Sequence, residues 1–306
     1  MKSLLLSLLL FFGFTPGQQT LVVQSPSFGP LQPTPVVQYM QDVSYTIRAG
    51  QSQGSGVVIV RNGNVFCWTA AHVVASIRHV STVLDSTTGQ NRSIVWFEPV
   101  ALVRENKEGG KTVGVTIYTA EVVKYSDANR GNDLALLKVH QTTMKAVNTV
   151  FYLENNIVPI GTELYHVGSF LGQMGANSLS TGLISQYGRM FNGIPFDQTS
   201  CSAFPGSSGG GTFLRDGRYV GMLVRAAGQN MNLIVPIRRM REWTEKIGLQ
   251  WALDPTLSVK PTGLIEELDD SPDVNVTSRD GSSSNGKPLP NTPEQPSEKE
   301  PQRLPF

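Results

Sequence analysis

Phe204-Pro205-Gly206-Ser207-Ser208-Gly209-Gly210-Gly211 sets two adjacent serines inside a run of glycines. Glycines on either side of a serine let the backbone turn sharply and bring amide N–H groups close to a carbonyl oxygen that is gaining negative charge. Glycine-serine runs are more often plain flexible loops, so the segment needs support from elsewhere. Gly206 to Gly210 also fits the pattern G-x-S-x-G, the strand-to-helix elbow of a parallel α/β sheet, and the order of the other polar residues along the chain has to arbitrate.

The α/β elbow requires its histidine after the serine. His72, His79, His140 and His166 all precede Ser208, which removes that arrangement. An order of Asp, His, Ser needs an aspartate ahead of the histidine, and only Asp42 precedes His72. The order that remains is His, Asp, Ser, the chymotrypsin-like one.

His72 closes Thr69-Ala70-Ala71-His72 and is followed by Val73-Val74, so it leaves a buried strand where its ring can face a cleft. His79 follows Arg78 in a polar turn, and His140 and His166 abut strand-like runs; these three read as surface or structural histidines. Among the intervening aspartates, Asp133 directly precedes the apolar run Leu134-Ala135-Leu136-Leu137-Lys138-Val139. A carboxylate buried there is costly unless paired, and a histidine N–H is the partner that a triad provides. Asp85 and Asp127 lie in polar turns. The sequence therefore nominates His72, Asp133 and Ser208 as base, orienting acid and nucleophile.

Working outward, Val43 to Pro236 consists of short β-branched and aromatic runs, such as Gly56 to Val60, Ser93 to Val103, Lys111 to Lys124 and Arg218 to Val224, separated by Gly, Asn, Asp and Ser. Many short strands without helical periodicity indicate an all-β barrel or sandwich. Ile237, Met240, Trp243 and Ile247, between Pro236 and Gly248, carry the spacing of one amphipathic helix over 237–248. Pro26, Pro30, Pro33 and Pro35 among Gln and Ser make 18–42 an expected extended linker. Residues 254–306 hold nine prolines among Ser, Asp, Glu and Asn and are expected to be a disordered tail.

Lys2, the apolar stretch Leu4 to Phe14 and Thr15-Pro16-Gly17 have the form of a Sec-type signal peptide over 1–17, with cleavage near Gly17. The expectation is export to a periplasmic or extracellular location, with no stable membrane insertion after cleavage. The 25 Lys and Arg against 24 Asp and Glu leave a net charge of +1, which offers no field for nucleic acid. Cys67 and Cys201 are the two cysteines; Cys67 sits in an apolar run as a core thiol would, and an exported pair can also bridge. No H-E-x-x-H or similar metal spacing occurs, and neither metal nor organic cofactor is expected.

The residues from Gly54 to about Trp243 resemble trypsin-like serine proteases of the HtrA (Deg) type. Gly54-Ser55-Gly56-Val57-Val58-Ile59 with Thr69-Ala70-Ala71-His72-Val73-Val74 is similar to that family's opening strand and histidine motif, and Asn132-Asp133-Leu134-Ala135-Leu136-Leu137 to its aspartate motif. Val167-Gly168-Ser169-Phe170, Leu179 to Ser185, Pro205 to Gly210 and Leu233-Ile234-Val235-Pro236-Ile237 carry the resemblance through the second half. Family members often have asparagine where Ser207 stands and proline where Gly211 stands, so a second hydroxyl sits beside the nucleophile here.

The resemblance implies a protease domain over 43–253, all-β, built of two six-stranded antiparallel barrels (about 43–147 and 148–236) with a C-terminal α-helix. It implies hydrolysis of peptide bonds in polypeptide substrates through an acyl-enzyme, with the backbone N–H groups of Gly206 and Ser208 as oxyanion hole. Ser202, six residues before the nucleophile, is expected at the base of the primary substrate pocket, with Arg225 and Ala226 on its wall. A Ser202 base carries no acid, which points away from Lys or Arg substrates and toward small or medium apolar ones. Proteins of this type are frequently trimers and usually continue into PDZ domains, which the proline-rich tail does not resemble. The competing reading is a catalytically silent or latent protease fold that binds peptides as a chaperone-like module.

Overall fold

The computed structural model describes residues 35–259, apart from 85, 88, 90, 110, 141–143, 145, 171–176, 227, 229 and 230. The expected signal segment and nearly all of the expected tail lie outside the described residues. Among the described residues, fourteen strands form two closed six-stranded antiparallel barrels and one two-stranded sheet. The first barrel runs in the order β1 (Ser44–Ala49), β2 (Ser52–Arg61), β3 (Asn64–Thr69), β8 (Leu134–Val139), β7 (Lys111–Ser126) and β6 (Val100–Glu108). The second runs β10 (Asn177–Phe191), β11 (Ile194–Thr199), β14 (Asn232–Pro236), β13 (Tyr219–Ala226), β12 (Gly211–Phe213) and β9 (Glu163–Ser169). Closure pairs the strand edges that an open sheet would leave exposed.

Local chemistry sets the register. Asn62-Gly63 and Asn192-Gly193 both have positive φ and each joins two strands through a two-residue turn, pairing Arg61 with Asn64 and Phe191 with Ile194. Those are the backbone angles of the tight hairpin turn that follows the right-handed twist of paired strands. The apolar run read from Ser93 to Val103 divides at Glu98-Pro99: β5 (Asn91–Phe97) pairs with β4 (Arg78–Leu84) in the separate sheet, and β6 begins at Val100. Proline has no N–H to give to a ladder, so one strand cannot continue through it.

Helical structure begins earlier than the proline content suggested. Pro35–Asp42 forms helix α1, within the segment expected to be an extended linker. Pro35 opens it, where a missing N–H costs nothing, and Met40 is buried while Tyr39 packs against the core. Tyr39 Oη accepts from the Val150 N–H at 2.8 Å, which ties α1 to the segment between the barrels.

At the other end α3 (Ile237–Lys246) buries Ile237, Met240 and Trp243, as its spacing predicted. Trp243 meets Trp68 of β3 edge to face with ring centres 6.1 Å apart, and Trp251, after the helix, meets Phe66 at 5.0 Å. The chain leaving the second barrel thus closes over the first. Phe66, Trp68 and Trp251 are all essentially inaccessible, and burying one such side chain contributes about 3 kcal/mol.

Both cysteines are buried and free: Cys67 lies on β3, and Cys201 follows β11. Burial pushes both thiols up, Cys201 to about 11, so neither is a reactive thiolate near neutrality. Among the described residues no helix is long and apolar enough to cross a membrane.

Candidate active site

β3 ends at Thr69 and the chain turns directly into a four-residue helix, α2 (Ala71–Val74). Ala71, Val73 and Val74 are buried in that turn, which leaves His72 as its outward member with about a third of its side chain exposed. His72 is thereby fixed by the packing of its three buried neighbours while its ring stays accessible.

Asp133 stands one residue before β8 and is fully buried. Its backbone is left-handed, with φ of 55°. The loop leading to it is braced internally: Asp127 Oδ1 accepts the N–H groups of Asn129 and Arg130, both at 2.8 Å, and the Asp127 carbonyl accepts those of Gly131 and Asp133. From this loop the carboxylate meets His72 twice. Oδ1 accepts the His72 backbone N–H at 3.0 Å, and His72 Nδ1 lies 2.9 Å from Oδ2 and 3.0 Å from Oδ1. An ionised carboxylate only accepts hydrogen bonds, so Nδ1 carries the proton and Nε2 presents its lone pair outward.

The Ser208 loop is shaped by a turn from Phe204 to Ser207, closed by the Ser207 N–H on the Phe204 carbonyl at 2.8 Å. Pro205 and Gly206 occupy its centre, and Gly206 has φ of 100°. That is a type II turn, with proline where φ is pre-set and glycine where φ must be positive. Among the described residues, neither the Gly206 N–H nor the Ser208 N–H donates to a protein acceptor. Unpaired donors side by side at a serine are what a developing oxyanion needs.

The two adjacent serines have different environments. Ser207 is buried; its hydroxyl donates to the Ser169 carbonyl at 3.3 Å and accepts the Phe204 N–H at 3.1 Å. Ser208 is half-buried, and among the described residues its hydroxyl makes no hydrogen bond to His72 or to any other group. The second hydroxyl is thus committed to holding the loop, and the Ser208 hydroxyl is unengaged.

Ser55 is a residue whose weight the sequence did not convey. Its N–H donates to the Ser208 carbonyl at 2.7 Å, its hydroxyl donates to the Gly206 carbonyl at 2.7 Å, and the same oxygen accepts the Ser169 N–H at 2.7 Å. One residue from the first barrel therefore pins both residues that carry the free amides, Gly206 through its hydroxyl and Ser208 through its backbone N–H. The signal was Gly54-Ser55-Gly56: a Cβ on Gly54 would lie 2.4 Å from Val73 and 2.8 Å from the Ser208 carbonyl, so the strand can approach the loop only without a side chain there.

Ser202 is exposed and lines a cavity of roughly 210 Å³ together with His166, Phe170, Leu179, Phe204 and Ser207. The cavity opens on the Ser207 side of the loop. Among the described residues, Arg225 and Ala226 take no part in that lining; Arg225 points toward Asp133 and Ala226 is exposed. His166 is buried, pairs through Nδ1 with the Gly211 carbonyl at 3.0 Å, and is held down to about 4 by burial. His79 stacks on Trp96 and pairs with Glu98 at 2.8 Å, and His140 is exposed near Glu121, so all three non-site histidines have structural or surface surroundings.

The family model described as a trypsin-like peptidase domain matches residues 54–222, more than half of the chain. The chain belongs to the trypsin-like peptidase family. The matched span contains His72, Asp133 and Ser208. A curated relative, the serine protease HtrA-like protein of Staphylococcus aureus strain NCTC 8325, is 23% identical over 239 residues, covering 71% of this chain and 26% of its own length. The chain thus spans about a quarter of the length of the curated relatives it matches. The crystal structure of the serine endoprotease from Yersinia pestis aligns with a TM-score of 0.50 and 20% identity over 71% of this chain and 67% of the other. A Mycobacterium tuberculosis H37Rv protein, Rv3671c, crystallised as a mutant in an inactive form, aligns with a TM-score of 0.50 and 20% identity over 70% and 90%. At these identities the two structures share the fold, and the trypsin-like peptidase has the double barrel that its motif order implied.

Proposed function

We propose that this trypsin-like peptidase is an exported serine endopeptidase in which His72, Asp133 and Ser208 form the triad. The observation that carries the reading is the fully buried Asp133 carboxylate, bonded to both the backbone N–H and the ring Nδ1 of His72. Held in that way, the imidazole offers Nε2 as base. Ser208 Oγ attacks the scissile carbonyl while His72 takes its proton. The tetrahedral oxyanion is received by the N–H groups of Gly206 and Ser208, each such donor being worth about 10²- to 10³-fold in rate. His72 returns the proton to the leaving amine, and water then hydrolyses the acyl-enzyme by the same route in reverse. Asp133 holds the tautomer throughout and does not take up the proton.

Polypeptides are the proposed substrates. Ser202 is uncharged and exposed, which supports cleavage after small or medium apolar residues rather than Lys or Arg. Export rests on the form of the first 17 residues, and a trimer on the likeness to HtrA-type proteins. A latent resting form is the second reading, favoured by the lack of a hydrogen bond between Ser208 and His72 among the described residues. Apo proteases often tighten that contact only when substrate binds. The test is cleavage of a random peptide library by the purified chain: the expected profile is apolar before the cut and is abolished by His72→Ala. Cleavage that survives His72→Ala would overturn the proposed triad, and no cleavage by folded wild type would favour the latent form.

A further inference from the structure

Arg225 leaves β13 in the second barrel and reaches across to the first. Its Nη2 donates to the Ala128 carbonyl at 2.7 Å and lies 3.7 Å from Asp133 Oδ2. The guanidinium sits over the Phe191 ring at 4.6 Å and is 5.9 Å from that of Phe196. Arg239, from α3, grips the same loop by its backbone and side chains, with Nε on Asn132 Oδ1 at 3.1 Å and Nη2 on the Gly131 carbonyl at 3.3 Å. Arg239 thus ties the loop, and Arg225 is the cation within ion-pair reach of the carboxylate.

The charge balance at Asp133 makes this contact consequential. Among the described residues both hydrogen-bond donors to the carboxylate come from His72, and a general base must be neutral before it acts. In that state a fully buried negative charge faces an uncharged ring, which is costly without a counter-ion. Among the described residues, the charged and titratable groups against the carboxylate are His72 on α2, Arg225 on β13 and Arg239 on α3, while Asp127 in its own loop turns its carboxylate to the Asn129 and Arg130 amides. Among the described residues the buried Arg225 Nε–H has no acceptor, a loss that the contacts of the rest of the guanidinium offset.

Building on the proposed triad, we infer that Arg225 is a positioning residue for Asp133, supplying the positive charge that keeps the buried carboxylate ionised beside a neutral His72. Without it the Asp133–His72 pair retains one more proton to higher pH, whichever of the two groups carries it.

The test uses the full chain and the rate of labelling by a fluorophosphonate probe as a function of pH, in wild type, Arg225→Met and Arg225→Lys. For Arg225→Met the acid limb of the profile is expected to move up by roughly one pH unit, giving about tenfold slower labelling on that limb and recovery at higher pH. Arg225→Lys keeps the charge without the planar fork, so its acid limb stays with wild type while its plateau falls. An unchanged acid limb in Arg225→Met, or an equal loss at every pH, would overturn the inference and leave Arg225 a brace for the Ala128 loop. If Arg225→Met does not fold, Arg225→Lys decides: an acid limb displaced upward despite the retained charge overturns it. Failure of the triad itself shows differently, as absence of labelling in wild type.

Discussion

The loop carrying Asp133 and the loop carrying Ser208 are held by opposite means. Residues 127–133 are stiffened from within by Asp127 and gripped from outside by Arg225 of the second barrel and Arg239 of the helix that follows it. Among the described residues, the Ser208 loop is gripped from the first barrel by a single serine, Ser55, and keeps two amide donors and one hydroxyl unengaged. Each barrel therefore fixes the functional loop of the other. The difference lies in saturation: Asp133 is buried and bonded, whereas among the described residues the Ser208 hydroxyl and the amides of Gly206 and Ser208 have no protein partner. Relative placement of Asp133, His72 and Ser208 then depends on contacts between barrels more than on either barrel alone.

The sharpest way to break this comparison is at the saturated end. Asp133→Asn retains the shape of the side chain but allows the ring of His72 to take the other tautomer, and the expected loss in labelling rate is about 10⁴-fold with the melting curve little changed. A loss below about tenfold would mean that the paired carboxylate is structural.

At the unsaturated end, Ser55→Ala removes the donor to the Gly206 carbonyl and the hydroxyl that accepts the Ser169 N–H. Urea melts are expected to show a loss of about 1–3 kcal/mol, together with labelling slowed about tenfold because the free amides lose their orientation. Unchanged labelling would show that the Pro205-Gly206 turn alone sets the loop.

His166 gives a smaller effect that separates stability from chemistry. Burial holds its folded-state value down to about 4, against an ordinary 6.5. Between those values the unfolded chain binds a proton that the folded chain does not, so stability falls as pH drops through that window, by about 3 kcal/mol in all, and the penalty is complete below about 4. Above 6.5 the group contributes no pH dependence. Comparing urea melts at pH 7 and pH 4.5, His166→Gln is expected to lose markedly less stability on acidification than wild type. An equal loss in both would place the acid sensitivity elsewhere.

Much of this was readable before the fold was known, because the chemistry was local. Glycines around Ser208 encode turns at their own positions, and the Leu134–Val139 run encodes a buried strand beside its aspartate. The order of His72, Asp133 and Ser208 then selected one fold among three. Other features were not legible. Arg225 contacts a carbonyl 97 positions away, and Arg239 an amide 107 positions away; nothing next to either residue announces such a partner, and Arg225 read as a pocket wall. Ser55 looked like part of a glycine motif, although its hydroxyl works 151 positions downstream. Helix α1 was obscured by the same prolines that favour an extended chain, one of which turns out to start it.

The central claim is that Ser208, rather than its equally polar neighbour Ser207, is the nucleophile. Reacting the purified chain with a fluorophosphonate and locating the adduct by peptide mass spectrometry tests it most directly. The expected result is phosphonylation of Ser208 in wild type, retention of the adduct in Ser207→Ala and its loss in Ser208→Ala. An adduct on Ser207, or one that persists in Ser208→Ala, would contradict it.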